Sequence, residues 1–218
     1  MSKRKTDVAA APAVAERDPR PSIEAIRAAA FTQFAERGYP VVTVRDIMKA
    51  CGLTQGALYN HFKSKDELLH DIITSTQAEL ERLCLKAVAD AGDDPRAQLA
   101  AFVRAYVMRH CRLRVEALVA NREIGWLDAD RVSDIRRSRR AIRDILVSVL
   151  TRGIDRHLFD PPQIDGKRDL KAMAMALLDQ CTHISMWYIP GRHLNEEQMA
   201  TLYAEMALRS VGAVVEKK

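Results

Sequence analysis

Side chains that could recognise a partner are concentrated in one short segment, from Gln55 to His61. The segment is predicted to form a helix of seven residues in which Leu58 is the one strongly apolar side chain. The other side chains are small, aromatic or polar, so they offer hydrogen bonds and little hydrophobic burial. Because a helix this short is unstable alone, neighbouring elements must hold it. Most of its surface is then free to face a partner.

The elements around this segment begin in close succession. Thr43 can cap a helix over 43–50, and Thr54 and Ser64 can cap the short helix and the helix that follows it. Gly52 permits the positive φ of a tight turn between the first two helices. A supporting helix, a glycine turn and a short exposed helix make up a helix-turn-helix, whose second helix can lie in the major groove of DNA.

The sequence of residues 43–69, TVRDIMKACGLTQGALYNHFKSKDELL, resembles the DNA-binding head of the tetracycline-repressor (TetR) family of bacterial transcriptional regulators. The likeness extends back through FAERGY at 34–39 and covers roughly residues 21–70. It implies an all-α protein with an N-terminal three-helix DNA-binding head that contains the helix-turn-helix. A larger C-terminal helical domain would bind a ligand and dimerise.

The resemblance also assigns DNA contacts to individual residues. Thr43 and Arg45 would reach backbone phosphates near the exposed N–H groups of the supporting helix. Gln55 could pair with an adenine, and Gly56 and Ala57 would allow close approach to base edges. Together, the expected DNA-binding residues are Thr43, Arg45, Thr54, Gln55, Gly56, Ala57, Tyr59, Asn60, His61 and Lys65. Of these, Tyr59, His61 and Lys65 resemble phosphate contacts, and Asn60 could touch base or backbone.

Helical periodicity continues from Ser22 almost to the C-terminus, and no run of residues alternates as a strand would. Breaks in the pattern predict helices near 22–38, 43–50, 55–61, 64–90, 95–111, 113–126, 131–157, 168–188 and 195–214. The domain organisation expected is a disordered basic tail at 1–20, a helix-turn-helix DNA-binding domain at 21–70 and a ligand-binding and dimerisation domain at 71–218.

The net charge of the 218-residue chain is +5, but the excess is local. Residues 1–20 carry a net +2, residues 131–143 carry a net +5, and residues 21–71 sum to zero. The expected DNA-binding head is therefore a weak electrostatic attractor by itself. Its affinity for DNA should depend on the presence of two heads in one dimer. The basic tail at 1–20 is either a solvated end or an arm that touches DNA phosphates.

The helix predicted at 131–157 contains one arginine in an unexpected place. Arg136, Arg140 and Arg143 lie opposite the apolar stripe of this helix and are expected to face solvent. Arg139 instead falls within the stripe, where a charge needs a partner. That partner could be a carboxylate across a subunit interface, solvent reached by an extended side chain, or an anionic ligand.

By resemblance, an effector pocket is expected within the helices at 95–188, and the last two helices resemble the pair that forms the family's dimer interface. The candidate pocket residues are Tyr106, Met108, His110, Trp126, Arg139, Met186 and Trp187. Their mixed apolar, aromatic and cationic character suits an acyl or aromatic compound, including a coenzyme A thioester. The expected partners are thus an operator in double-stranded DNA, a second copy of the chain and a small-molecule effector.

Other classes of function find little support in the sequence. The pair His110-Cys111 could be drawn as a catalytic dyad, but adjacent helical residues point about 100° apart, so no enzyme, cofactor or metal site is expected. A helical interaction module would leave the polar helix at 55–61 without a purpose. No apolar run is long enough to span a membrane, and four scattered cysteines indicate free thiols in a reducing cytoplasm. A repressor is expected, with an activator of the same architecture as the alternative.

Overall fold

A computed structural model describes residues 23–192 and 194–213 of the chain. Within them the fold is all-α, as predicted, and an isolated β-bridge joins Ile164 to Lys167. The α-helices are α1 (Ile23–Arg37), α2 (Val44–Ala50), α3 (Lys65–Asp90), α4 (Pro95–Arg112), α5 (Arg114–Arg122), α6 (Ala129–Asp155), α7 (Leu170–Trp187) and α8 (Glu196–Ser210). Two short 3₁₀ helices span Gln55–Asn60 and Glu123–Trp126. None of the helices in this part of the chain is both long and apolar enough to cross a bilayer. The tail at 1–20 lies outside the described residues.

Polar caps determine where the long helices of the larger domain begin. The side chains of Asp94, Asp169 and Asn195 each accept a backbone N–H from the first turn of α4, α7 and α8. Pro95 occupies the first position of α4, where no backbone donor is needed. These starts lie within two residues of the predicted ones.

The helix predicted over 113–126 starts within one residue of the expected place, but it is an α-helix only as far as Arg122. Leu113 adopts a non-helical conformation (φ −110°, ψ 49°) and separates α4 from α5. The helix α5 then ends at Arg122, and a 3₁₀ turn leads to Leu127. The next helix begins earlier than predicted, at Ala129, because the carboxylate of Asp128 accepts the backbone N–H of Arg131 at 2.9 Å.

One hydrophobic core lies under the helix-turn-helix. It contains Ile26 and Phe34 from α1, Ile47 from α2, Leu58 from the short helix and a group of apolar residues from the first two turns of α3. The same core also includes Val119, Ala120, Leu127 and Ile135, which belong to α5, α6 and the segment between them. The N-terminal helices are therefore packed directly on two elements of the larger domain.

A second core lies among α3, α4, α6, α7 and α8, with α4 packed against each of the other four. The helix α3 contributes Leu69 to the first core and Leu80 to the second. The expected domain boundary at residue 70 thus falls inside a continuous helix, and the division into separate domains there stays a prediction. A movement of α3 would affect both cores.

Candidate nucleic-acid interface and ligand cavity

The start of α2 is fixed by a reciprocal capping box between Thr43 and Asp46. The backbone N–H of Asp46 donates to Thr43 Oγ1 at 3.2 Å, and the backbone N–H of Thr43 donates to Asp46 Oδ2 at 2.9 Å. The Thr43 hydroxyl also donates to Asp46 Oδ2 at 2.7 Å. These bonds from Thr43 hold the pKa of Asp46 below its usual value. Arg45, the next residue after the first helical position, is exposed.

The turn after α2 is closed by backbone hydrogen bonds. Gly52 has a φ of +72°, and the backbone N–H of Leu53 donates to the carbonyl of Met48 at 2.8 Å. This closure directs the chain from α2 into the short helix and leaves Leu53 partly buried against the first core. The expectation of a glycine turn is confirmed.

The short helix is a 3₁₀ helix over Gln55–Asn60, not the α-helix ending at His61 that the sequence suggests. Thr54 makes no side-chain cap. Leu58 is fully buried and anchors the segment in the first core, while Tyr59 is 55% exposed. Burial of one anchor in a tight turn takes the place of the missing cap. The other exposed side chains of this region are Thr54, Gln55, Gly56, Asn60 and His61, and Ala57 is half-buried.

A shallow surface groove brings several of the expected DNA contacts together. Arg45 on α2 lines it with Thr54 and Gln55 at the start of the short helix, and Lys49 lies on the same groove. Lys49 is not among the residues expected to contact DNA. Its position one turn after Arg45 on the same helix face was the available signal. Two cationic side chains therefore flank the residues expected to face the bases.

Lys65, expected at a phosphate, makes contacts within the chain. Its Nζ donates to the carbonyls of Tyr39 at 2.9 Å and Val42 at 2.8 Å, and lies 4.1 Å from the centre of the Tyr39 ring. Partial burial lowers the pKa of Lys65. Two of its three N–H groups are thereby used to hold the segment before α2, and one is left for a phosphate.

The cap predicted at Ser64 is present at the start of α3. Ser64 Oγ accepts the backbone N–H of Glu67 at 3.1 Å. The carboxylate of Glu67 accepts the backbone N–H of Lys63 at 2.6 Å instead of that of Ser64. The bond from Lys63 therefore ties the last loop of the head to the first turn of α3.

A cavity of about 530 Å³ opens between α3, α4, α6 and α7, beside the end of α5. Four of its lining residues are expected pocket residues: Tyr106, His110, Arg139 and Met186. The remaining lining residues are Gln77, Asn121, Arg122, Arg140, Ile142, Arg143, Met175, Leu178, Asp179, Thr182, His183 and Ser185.

The floor of this cavity contains a stack of rings on one face of α4. The Tyr106 and His110 rings are parallel within 7° with centroids 4.5 Å apart, and Tyr106 also stacks on Phe102 at 6.1 Å. The Tyr106 hydroxyl pairs with Thr182 Oγ1 at 2.8 Å. Burial lowers the pKa of His110 to about 4, so the imidazole is neutral at pH 7.

Four arginines give the cavity its electrostatic character: Arg122, Arg139, Arg140 and Arg143. Asp179 also lines the cavity, and Arg143 pairs with Asp144 at 2.7 Å, so the arginines outnumber the carboxylates around the cavity. Nη2 of Arg139 donates to the Ala120 carbonyl and to Asn121 Oδ1, both at 3.1 Å. Desolvation lowers the pKa of Arg139, and no carboxylate in the described part of the chain lies within 4.0 Å of it.

Three expected pocket residues do not line the cavity. Met108 lies two residues from Tyr106 and therefore on another face of α4, where it packs on the second core. Trp126 and Trp187 are 56% and 46% exposed. Conversely, Arg140 and Arg143 were expected on a solvated face, yet they line the cavity because α7 packs beside them on α6. Four of the seven expected pocket residues thus line one cavity, and helical phase and neighbouring helices decide which residues do so.

The chain matches known families over most of its length. Residues 26–72 match the family described as "Bacterial regulatory proteins, tetR family", and residues 92–211 match "Tetracyclin repressor-like, C-terminal domain". The chain belongs to the TetR family of bacterial transcriptional regulators. As a TetR-family protein it is a DNA-binding, ligand-responsive regulator that works as a dimer.

Relatives within the TetR family include proteins of known structure. The chain is 30% identical to the HTH-type transcriptional repressor KstR2 of Rhodococcus jostii (strain RHA1) over 188 residues, which is 82% of this chain and 85% of that protein. The structure of the ketosteroid transcriptional regulator KstR2 of Mycobacterium tuberculosis aligns with a TM-score of 0.77 at 25% identity, covering 90% and 96% of the two chains. The structure of AibR in complex with isovaleryl coenzyme A and operator DNA aligns with a TM-score of 0.74 at 23% identity, covering 88% and 99%, and this likeness shows the shared fold alone.

Proposed function

We propose that this TetR-family protein is a repressor that leaves a pseudo-palindromic operator when an anionic, amphiphilic effector binds the cavity. The class that fits best is a coenzyme A thioester of an acyl or aromatic acid. The observation that carries the proposal is the set of four arginines around a cavity whose floor is aromatic and apolar. The apolar part of such an effector would lie on the floor, and its phosphates would meet the arginines.

Arg139 is the strongest argument for an anion. Its side chain lies within the apolar stripe of α6, yet among the described residues only its Nη2 is hydrogen-bonded. A half-buried cation without a carboxylate is costly, and an anionic ligand would offset that cost. Because Arg139 lines the cavity, an anionic ligand is the partner that we propose for it among the three that the sequence leaves open.

Size and exposure favour a ligand that extends out of the cavity. A volume of about 530 Å³ is typical of a small-molecule site but holds only the acyl and neighbouring part of a coenzyme A thioester. Arg122 and Arg140 are exposed at the cavity and make no ion pair within residues 23–192 and 194–213. They are therefore available to the phosphates outside. AibR, which shares this fold, was solved with isovaleryl coenzyme A and operator DNA.

On the DNA side, we propose that the two heads of a dimer occupy successive major-groove faces, roughly 34 Å apart. The dimer would form through α7 and α8, which leave large apolar side chains exposed for a partner copy to cover. These are Met175, Met186, Trp187, Leu202 and Met206. Base contacts would come from Thr54 to Ala57, and phosphate contacts from Arg45, Lys49, Tyr59 and His61.

A regulatory role also agrees better with the cavity than a catalytic one. Cys111, the candidate nucleophile, is 3% exposed, and burial raises its pKa to about 11. His110 bonds to a backbone carbonyl and not to Cys111. We assign repression and not activation to this protein because its relative KstR2 is a transcriptional repressor. The protein would act in the cytoplasm, where a bacterial operator lies.

The test is binding of hexanoyl-coenzyme A and of hexanoyl-pantetheine, which lacks the nucleotide phosphates. We expect calorimetry to show at least tenfold tighter binding of the coenzyme A ester to the wild type, and Arg139→Gln to reduce that preference severalfold. Arg136→Gln is the matched control, because Arg136 is exposed on the same helix and lies outside the cavity. Equal binding of both esters by the wild type would contradict the proposed effector class.

A further inference from the structure

One nitrogen in the floor of the cavity has no hydrogen-bond partner in the part of the chain that the structure describes. His110 is 4% exposed, and its Nδ1 lies 2.9 Å from the carbonyl oxygen of Tyr106. Because a carbonyl can only accept, Nδ1 carries the proton of the neutral ring, and Nε2 is left as a hydrogen-bond acceptor. No hydrogen bond to Nε2 exists within the described residues, and Nε2 is not among the side-chain atoms sealed off from solvent. This acceptor therefore opens into the cavity that His110 lines.

The direction of this acceptor is fixed by packing. The parallel ring of Tyr106 lies against one face of the imidazole at 4.5 Å, and the bond from Nδ1 fixes the rotation of the ring. A preorganised acceptor selects among ligands more sharply than a mobile one, because no side-chain freedom is lost on binding.

Neighbouring polar groups do not satisfy Nε2. The hydroxyls of Tyr106 and Thr182 pair with each other, and Ser185 donates to the Thr182 carbonyl at 2.9 Å. Gln77 also lines the cavity, is 6% exposed and has no partner among the described residues. Its amide can donate or accept, so it does not discriminate between ligand groups. His110 can only accept from a ligand.

We propose that His110 is a specificity-determining residue, which selects effectors that carry a hydroxyl group in the part that reaches the cavity floor. The hydroxyl would donate to Nε2 in place of water. An effector of the same shape without a hydroxyl would displace the water but could not donate a hydrogen bond to Nε2. Nε2 would then be buried without a hydrogen bond, which lowers the affinity for that effector. The inference rests on the proposed function only in taking thioesters as the ligands.

The experiment compares thioesters in two series. Hexanoyl, 3-hydroxyhexanoyl and 6-hydroxyhexanoyl groups are each presented on coenzyme A and on pantetheine, and dissociation constants are measured by calorimetry. We expect the wild type to bind at least one hydroxylated ester about tenfold more tightly than the hexanoyl ester on the same carrier. Such a factor corresponds to one hydrogen bond to a buried group.

Two substitutions test the roles of the two ring nitrogens of His110 one at a time. His110→Asn can keep the donor to the Tyr106 carbonyl but has no group at the position of Nε2, so the hydroxyl preference should fall to less than twofold. His110→Gln places an acceptor near the position of Nε2 and should retain part of the preference. Thermal unfolding checks that both variants are folded.

The outcomes distinguish this proposal from the proposed function. Equal affinity of the wild type for hydroxylated and plain esters on both carriers would overturn the role of His110, as would a preference that His110→Asn leaves intact. A hydroxyl preference without any preference for coenzyme A over pantetheine would support the role of His110 and contradict the anionic effector. Absence of binding by every ester would overturn both.

Discussion

His70 on α3 and Asp134 on α6 approach each other between the head and the larger domain, with His70 Nε2 3.6 Å from Asp134 Oδ2. His70 Nε2 is buried and has no hydrogen bond to any residue that the structure describes, and Asp134 also pairs with Arg137. The next residue on α6, Ile135, is fully buried in the first core. This contact therefore lies where a movement of α6 against α3 would be transmitted to the head.

The first prediction concerns this contact. Two turns after His70, α3 carries Gln77 in the cavity wall, so one helix links effector and head. The coupling between the two sites is measured by the operator affinity without effector divided by the operator affinity with effector. We expect Asp134→Ala to reduce this ratio severalfold. The affinity for the effector itself should change by less than twofold. Arg137→Ala is the control, because Arg137 contacts Asp134 but not His70. An unchanged ratio in Asp134→Ala would exclude this route.

The second prediction separates base recognition from phosphate binding. Gln55→Ala should reduce the preference for operator over unrelated DNA about tenfold, since one bidentate base contact discriminates by roughly 1–3 kcal/mol. Tyr59→Phe should weaken binding to both DNAs by a similar, smaller factor, because a phosphate carries no sequence information. Fluorescence anisotropy with the two duplexes measures both effects. The assignment fails if Gln55→Ala weakens both DNAs equally.

The third prediction tests the packing of α6 in the second core. A Cβ at Gly153 would lie 1.9 Å from Cδ2 of Phe159, which is buried. Gly153→Ala should destabilise the protein by about 1–3 kcal/mol through overpacking. Gly125→Ala is the matched control, since no atom lies within 4 Å of its added Cβ. Urea unfolding at one fixed protein concentration measures the difference, and equal stability of the two variants would contradict the packing.

The fourth prediction is a pH dependence of stability. Burial lowers the pKa of His110 to about 4 in the folded state, while an unfolded histidine titrates near 6.5. Between these values the unfolded state binds a proton that the folded state does not, so stability falls as the pH decreases from 6.5 to 4, by at most roughly 3 kcal/mol. The loss should be smaller in His110→Gln, which has no group titrating there. Parallel loss in both proteins would contradict the burial of a neutral His110.

Much of the head could be predicted from the sequence because its determinants are local. The caps at Thr43 and Ser64 and the turn at Gly52 depend on neighbouring residues. By contrast, Thr54 makes no cap, and the short segment is a 3₁₀ helix that the buried Leu58 anchors in the first core. That outcome depends on residues far away in the sequence.

The cavity was harder to predict because it depends on packing between helices. Tyr106 and His110 lie four residues apart and share a face of α4, and Arg139 was identified because a charge interrupts an apolar stripe. Residue type alone suggested Trp126, which is exposed. Arg140 was assigned to solvent because no sequence pattern shows which helix packs beside α6.

The measurement that tests the central claim most directly is operator release by an effector. Wild-type protein bound to a labelled duplex from its own upstream region is titrated with hexanoyl- and hydroxyhexanoyl-coenzyme A, and anisotropy reports the bound DNA. We predict that the wild type binds the operator sequence-specifically and that at least one ester releases it. The Arg139→Gln variant should bind the operator as the wild type does but need severalfold more ester for half of the DNA to be released. Sequence-specific binding that no coenzyme A thioester weakens would contradict the account.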